Sequence, residues 1–163
     1  NENATPIFSD KNYSVNKKDF LNSEILEDQT LLIFENNMAF EFSDFKEHKF
    51  KKILLVLNNT NRAIKLSEKV LKFKADLLRD QKIRLEEKSI NCEIINISDL
   101  KNIAENIYAL YPTVGENFDF IQNNNLNNIK LLYRKLDQFS WQYCNKGFFN
   151  FKNYIPKIIA KFN

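Results

Sequence analysis

The apolar residues of this chain come in two arrangements, short unbroken runs and spaced stripes, and each predicts a different element. Thr30 to Phe34 and Ile53 to Leu57 are unbroken runs, followed by the polar segments Glu35-Asn36-Asn37 and Asn58-Asn59-Thr60-Asn61. Runs of that length are too short for a lone helix and read as strands, the second of them covered on both faces. Met38, Phe40 and Phe42 alternate with Ala39 and Glu41, so the first run is expected to fold back on residues 38–42 as a β-hairpin turned by Asn36-Asn37. From Arg62 to Lys88, Leu66, Val70, Phe73 and Leu77 recur at spacings of 4, 3 and 4, with Leu71, Leu78 and Leu85 widening the stripe. This predicts an amphipathic helix of about seven turns with Asn61 as its cap. Lys74 and Gln81 break a strict heptad seam, which favours local packing over a projecting coiled-coil arm.

Ile90, Cys92, Ile94 and Ile95 predict a further strand over Ser89 to Ile97. Ser98-Asp99 then opens a predicted helix with Ile103, Ile107 and Leu110 on one face, stopped by Tyr111-Pro112. Strand, helix, strand, helix in series is the grammar of a parallel βαβ unit. Asn117 to Ile121 is expected as a last edge strand, and Asn123 to Asn128 as a loop or cap cluster. The most regular stripe is Ile129, Leu132, Leu136, Phe139 and Tyr143, which predicts a helix from Asn125 to Cys144 with Gly147 just past its end. A short final helix carries Pro156 in its first turn. Residues 1–28 read as a flexible N-terminal arm with at most one short helix, and 29–163 as a single domain. The fold class expected is α/β or α+β, with a small mixed sheet of about four strands packed by the long helix and two or three further helices.

Composition narrows this picture. With 163 residues, 44% hydrophobic and 13% aromatic, the chain can bury one ordinary core. Two glycines and three prolines argue against a sandwich or barrel of many tight turns, so asparagine must serve the turns. Charge is unevenly spread: residues 1–45 hold 3 basic and 9 acidic side chains, residues 46–88 hold 13 and 6. Arg62, Lys65, Lys69, Lys72 and Arg79 are the residues of a partner or anion face in that positive middle, although one long solvated helix has the same composition. No stretch reaches the roughly 18 to 20 apolar residues of a membrane span.

The chemistry of catalysis is thinly represented. The single histidine, His48, lies in Lys46-Glu47-His48-Lys49 and reads as an exposed linker residue, so a hydrolytic triad is disfavoured. Cys92, Cys144 and His48 lack the paired spacing of a zinc site. The turn Asn58 to Arg62 contains no glycine, which disfavours a dinucleotide loop, while its helix start and Arg62 still suit a carboxylate or phosphate. No catalytic, cofactor or metal residue is expected, and no cofactor. Cys92 and Cys144 form a bridge if the chain is extracytoplasmic and are two small buried side chains if it is not. The aromatic and basic tail from Tyr143 to Lys161 has the ingredients of a single-strand stacking platform, and also those of a segment that seals the core.

Asn1 to Phe8 resembles neither a translation start nor a signal peptide, so a beginning removed by processing or trimming is expected. Asp10-Lys11-Asn12-Tyr13-Ser14 resembles the acidic-extended acceptor sequon of bacterial N-glycosylation, which implies Asn12 as a glycan acceptor and a periplasmic chain. Small sheet-and-helix domains behind an anchor and a flexible arm resemble scaffold subunits of pilus, secretion or flagellar machines, a likeness of fold alone. The leading expectation is therefore a non-enzymatic interaction module of a bacterial cell-envelope assembly. It is periplasmic, tethered through its arm, meets a protein partner, and touches a membrane only through a removed anchor. The alternative is a cytoplasmic Rossmann-like domain that binds nucleotide or nucleic acid through its basic middle segment.

Overall fold

The computed structural model describes residues 24–59 and 65–162. Among them, five short apolar segments pair into one sheet, and every pairing is parallel. The strands are β1 (Thr30–Phe34), β2 (Lys52–Leu57), β3 (Cys92–Asn96), β4 (Ile107–Leu110) and β5 (Ile129–Leu132), in the order β3-β2-β1-β4-β5. Leu31 stands opposite Ile53 on one side and Tyr108 on the other, so β1 has no free edge. Its residues alternate between two cores. Leu31 and Ile33 pack with Leu55, Leu78 and Leu85, whereas Leu32 and Phe34 pack with Val56, Leu100, Ile107 and Phe120. Burial on both faces is why this strand reads as an unbroken apolar run.

The chain leaves β2 through α1 (Glu68–Glu86), which lies on the first face against β2 and β3. It returns across the second face through the 3₁₀ segment Ile97–Asn102, whose entry is a capping box between Asn96 and Asp99, and through α2 (Glu116–Asn123). The fold is α/β, as expected, with helices on both faces of a sheet of five strands, close to the four or so anticipated, and the sheet is wholly parallel where a mixed one was expected. Beyond β5 follow α3 (Lys135–Trp141), α4 (Phe148–Phe151) and α5 (Ile155–Phe162), with α3 packed against α5.

Several elements differ from the sequence-based expectation. Residues 38–42 do not form a hairpin strand, because β1 is already flanked by β2 and β4; Phe40–Phe42 is a 3₁₀ turn instead. The helix expected after Ser98 ends at Asn102, and Ile107–Leu110 is a central strand whose residues alternate between the two cores. The edge strand expected over Asn117 to Ile121 is α2, with Phe120 and Ile121 buried in the same core. The helix expected from Asn125 to Cys144 is divided: Ile129–Leu132 pairs with the open edge of β4, and α3 begins only at Lys135. Ile129 and Leu132 enter opposite cores, a placement natural for a strand and not for a helix.

α1 also departs from the predicted stripe. It begins at Glu68 with Ser67 as N-cap, Lys65 and Leu66 are not helical, and the Asn61 cap lies outside the described residues. Its buried positions are Leu78, Gln81 and Leu85, while Val70 and Phe73 are exposed. A helix of 19 residues is about 28 Å long at 1.5 Å per residue and overhangs strands of five or six residues, so only its C-terminal half packs tightly. Most of the expected N-terminal arm lies outside the described residues, but residues 24–28 are docked. The Leu26 backbone N–H donates to the Tyr108 hydroxyl, which in turn donates to the Glu24 carbonyl.

Candidate functional site: a crevice where the sheet reverses

The strand order runs outward from β1 in both directions, so the chain leaves β1 toward the face of α1 and leaves β4 toward the face of α2. The two loops diverge at the C-terminal ends of these neighbouring strands, and a crevice opens between them. Parallel sheets place ligands at this reversal point because no crossover connection covers it. The crevice is shallow and open to solvent, with a volume of about 390 Å³, at the lower end of the range of small-ligand sites. Glu35 and Asn36 line it from the end of β1, Pro112 to Asn117 from the β4–α2 connection, and Lys74 from α1.

A chain of polar contacts fixes its floor. The Glu35 side chain is only 4% exposed; Lys74 Nζ donates to its Oε1 at 2.8 Å and Asn117 Nδ2 to its Oε2 at 3.4 Å. Asn117 Oδ1 accepts from Nδ2 of the fully buried Asn58, 2.9 Å away. A carboxylate so deeply placed keeps its orientation, because each of these contacts satisfies a group that burial would otherwise leave costly. The rim is held by Asn36 and Asn37, whose side-chain amides donate to the Pro112 carbonyl at 2.5 Å and the Tyr111 carbonyl at 3.1 Å. Thr113 sits at φ 64 and Gly115 at φ 130, conformations that disfavour a β-branched residue and require glycine respectively. Backbone strain of this kind clusters at ligand sites.

Charge decides what the crevice accepts. It is lined by two acidic side chains, Glu35 and Glu116, against Lys74, whose ammonium is already engaged by Glu35. Glu116 opens α2 and so sets a negative charge where a helix N-terminus would otherwise favour an anion. The connections contain no glycine-rich phosphate cradle. What else lines it is hydrogen-bonding capacity: the remaining lone pairs of the Glu35 carboxylate, the side-chain carbonyl of Asn36 and the Thr113 hydroxyl, with Asn117 held in place between Asn58 and Glu35.

Of these residues only Asn58 belongs to a segment considered from the sequence, the turn Asn58 to Arg62; Glu35, Asn36, Lys74, Thr113, Glu116 and Asn117 were not singled out as a site. Glu35-Asn36-Asn37 reads there as a hairpin turn and Lys74 as an interruption of the helix seam. The usable signal was a polar residue directly after an apolar strand, paired with Gly115 directly before a helix. The residues expected to form a partner or anion face fare differently. Arg62 lies outside the described residues, Lys65 and Lys69 are exposed, and Lys72 and Arg79 both engage Asp76 within α1. The Lys72 hydrogen bond leads in holding the Asp76 carboxyl below its ordinary value. Asn12 lies outside the described residues. Cys92 is buried, Cys144 is exposed, and both are free thiols, so the bridge considered from the sequence is not formed. His48 is half-buried instead of standing clear in a linker: its ring tilts against Phe50 and its Nε2 lies 3.2 Å from the Leu26 carbonyl.

Among the described residues, no group of three or more His, Cys, Asp or Glu side chains is arranged to hold a metal ion. Likewise among them, no helix is long and apolar enough to cross a membrane. No protein-family model matches the sequence, and no curated protein or solved structure matches it either.

Proposed function

We propose that this domain is a small-molecule binding module whose crevice takes an uncharged nucleoside-like ligand, a ring bearing hydroxyl or amide groups and no phosphate. The observation that carries this reading is the polar chain from Asn58 through Asn117 to Glu35, which ends on a buried carboxylate at the reversal point of a parallel sheet. A carboxylate there accepts hydrogen bonds from vicinal hydroxyls, while the excess of acidic over free basic groups repels phosphates. The Rossmann-like alternative expected from the sequence took nucleotide or nucleic acid through the basic middle segment; this reading differs from it in both ligand and place, with a phosphate-free ligand at the strand ends.

Isothermal titration with adenosine, guanosine, uridine and ATP tests it. A nucleoside is expected to bind, the triphosphate to bind at least about tenfold more weakly, and Asn117→Ala to weaken the nucleoside by roughly tenfold, the worth of one hydrogen bond to a charged group. ATP binding as tightly as adenosine, or no nucleoside binding at all, refutes the assignment. A docking role, of the kind expected for an envelope scaffold, is supported by a separate observation, the exposed apolar side chains of the C-terminal helices.

A further inference from the structure

The C-terminal helices carry a surface that the crevice does not use. Phe148 and Phe149 follow Gly147, whose φ of 75 turns the chain, and they stand 66% and 82% exposed. Further along, Ile158 of α5 points into the protein while Ile159 and Phe162 face outward, 51% and 39% exposed. Leu136 at the start of α3 is exposed as well. Between residues 138 and 162 the chain has four lysines, at 146, 152, 157 and 161, and no acidic side chain. Lys157 and Lys161 arch over the rings of Tyr143 and Phe139, at 5.4 and 4.8 Å from their centroids, which places these ammonium groups beside aromatic surface. Outward aromatic and aliphatic side chains flanked by cations suit a headgroup boundary, and the carboxylates at the start of α3 are engaged within the protein, Asp137 by Arg134 and Asp44 by the Lys135 backbone N–H.

We propose that this face docks reversibly on an anionic lipid surface, with Phe148, Phe149 and Ile159 entering the headgroup and acyl boundary and the lysines meeting the lipid phosphates. Two other occupants fit less well. A second copy would bring four lysines against four, with Asp137 already paired to Arg134. A nucleic-acid strand needs open ring faces, yet Tyr143 and Tyr154 are stacked on each other at 4.4 Å, and Ile159 and Leu136 have no ring to offer.

Vesicle flotation decides the matter, using phosphatidylcholine alone and phosphatidylcholine mixed with phosphatidylglycerol. Binding is expected to the mixed vesicles only and to weaken with salt. The double variant Phe148→Ser, Phe149→Ser is expected to lose roughly tenfold or more, from the apolar surface removed. Both rings are exposed, so its circular dichroism and thermal melt should match the parent. Phe73→Ser, at an exposed ring of α1, should bind as the parent does. The proposal is overturned by absence of binding to the mixed vesicles, or by binding that the double Phe variant leaves intact. It is equally overturned if an oligothymidylate is retained in place of the vesicles and depends on the same two rings, which would assign the face to nucleic acid.

Discussion

Cys92 and Cys144 show how far one residue type can diverge with its surroundings. Cys92 enters the core beneath α1, where burial first and the nearby Glu86 carboxylate second push its thiol up to about 11. Against the ordinary value of 9.0, its thiolate at pH 8 is scarcer by roughly a hundredfold. Cys144 lies at the surface. Iodoacetamide at pH 8 followed by peptide mass spectrometry should therefore label Cys144 within minutes, and Cys92 only once the protein is unfolded. Equal labelling of both in the native protein would show that the Cys92 site is open.

At the scale of elements, the chain ends its helices with the residues available to it. α1 closes in a Schellman arrangement: Ile90 N–H donates to the Leu85 carbonyl at 3.0 Å, Ser89 N–H to the Glu86 carbonyl at 2.8 Å, and Ser89 takes φ 59. Asn125 takes the same role after α2, with φ 52 and Leu126 N–H bonded to the Ile121 carbonyl. Serine is poorly suited to the left-handed region, so Ser89→Gly should raise stability by about 1 kcal/mol in urea denaturation. A different device ties the 3₁₀ turn Phe40–Phe42 to α1: Arg84 Nε donates to Glu41 Oε1 at 2.6 Å, and the fully buried Gln81 donates to Oε2 at 3.1 Å. Burial alone would raise the Glu41 carboxyl, but its backbone hydrogen bond, Arg84 and Gln81 together outweigh this and hold it below 4.5. A carboxyl lowered by folding stabilises the protein above its unfolded value and loses that contribution as pH falls through the folded one. Glu41→Gln should cost about 1–2 kcal/mol at pH 7, reduced from a fully buried pair because Arg84 is partly solvated. The difference from the parent should shrink once both are measured well below pH 4.5.

For the whole molecule, topology sets both stability and the place of the site. β1 is bonded on both edges and buried on both faces, so its opening requires the sheet to come apart. Native-state hydrogen exchange should find the slowest amides in Leu32 to Phe34 and neighbouring β2, with β5 and the C-terminal helices exchanging through smaller openings. Protection of α5 equal to that of β1 would mean that the C-terminal helices unfold only with the sheet. The same central strand delivers Glu35 to the crevice. Moving β4 to any other place in the order would separate Glu35 from Asn117 and abolish the site.

The strands β1, β2 and β3 and the existence of the long helix were legible in the residues, because an unbroken apolar run has one economical use and a stripe of several turns has another. Short segments were not. Ile107–Leu110 and Ile129–Leu132 contain apolar positions spaced by three, compatible with a helix face over so few residues, and only the open edge beside β1 and then beside β4 made them strands. Residues 38–42 alternate as a strand should and form none, because their expected partner had no edge left to bond. The crevice was invisible for the same reason. Glu35, Lys74 and Asn117 come from three elements far apart in the chain, and a site of that kind exists only once strand order brings their carriers together.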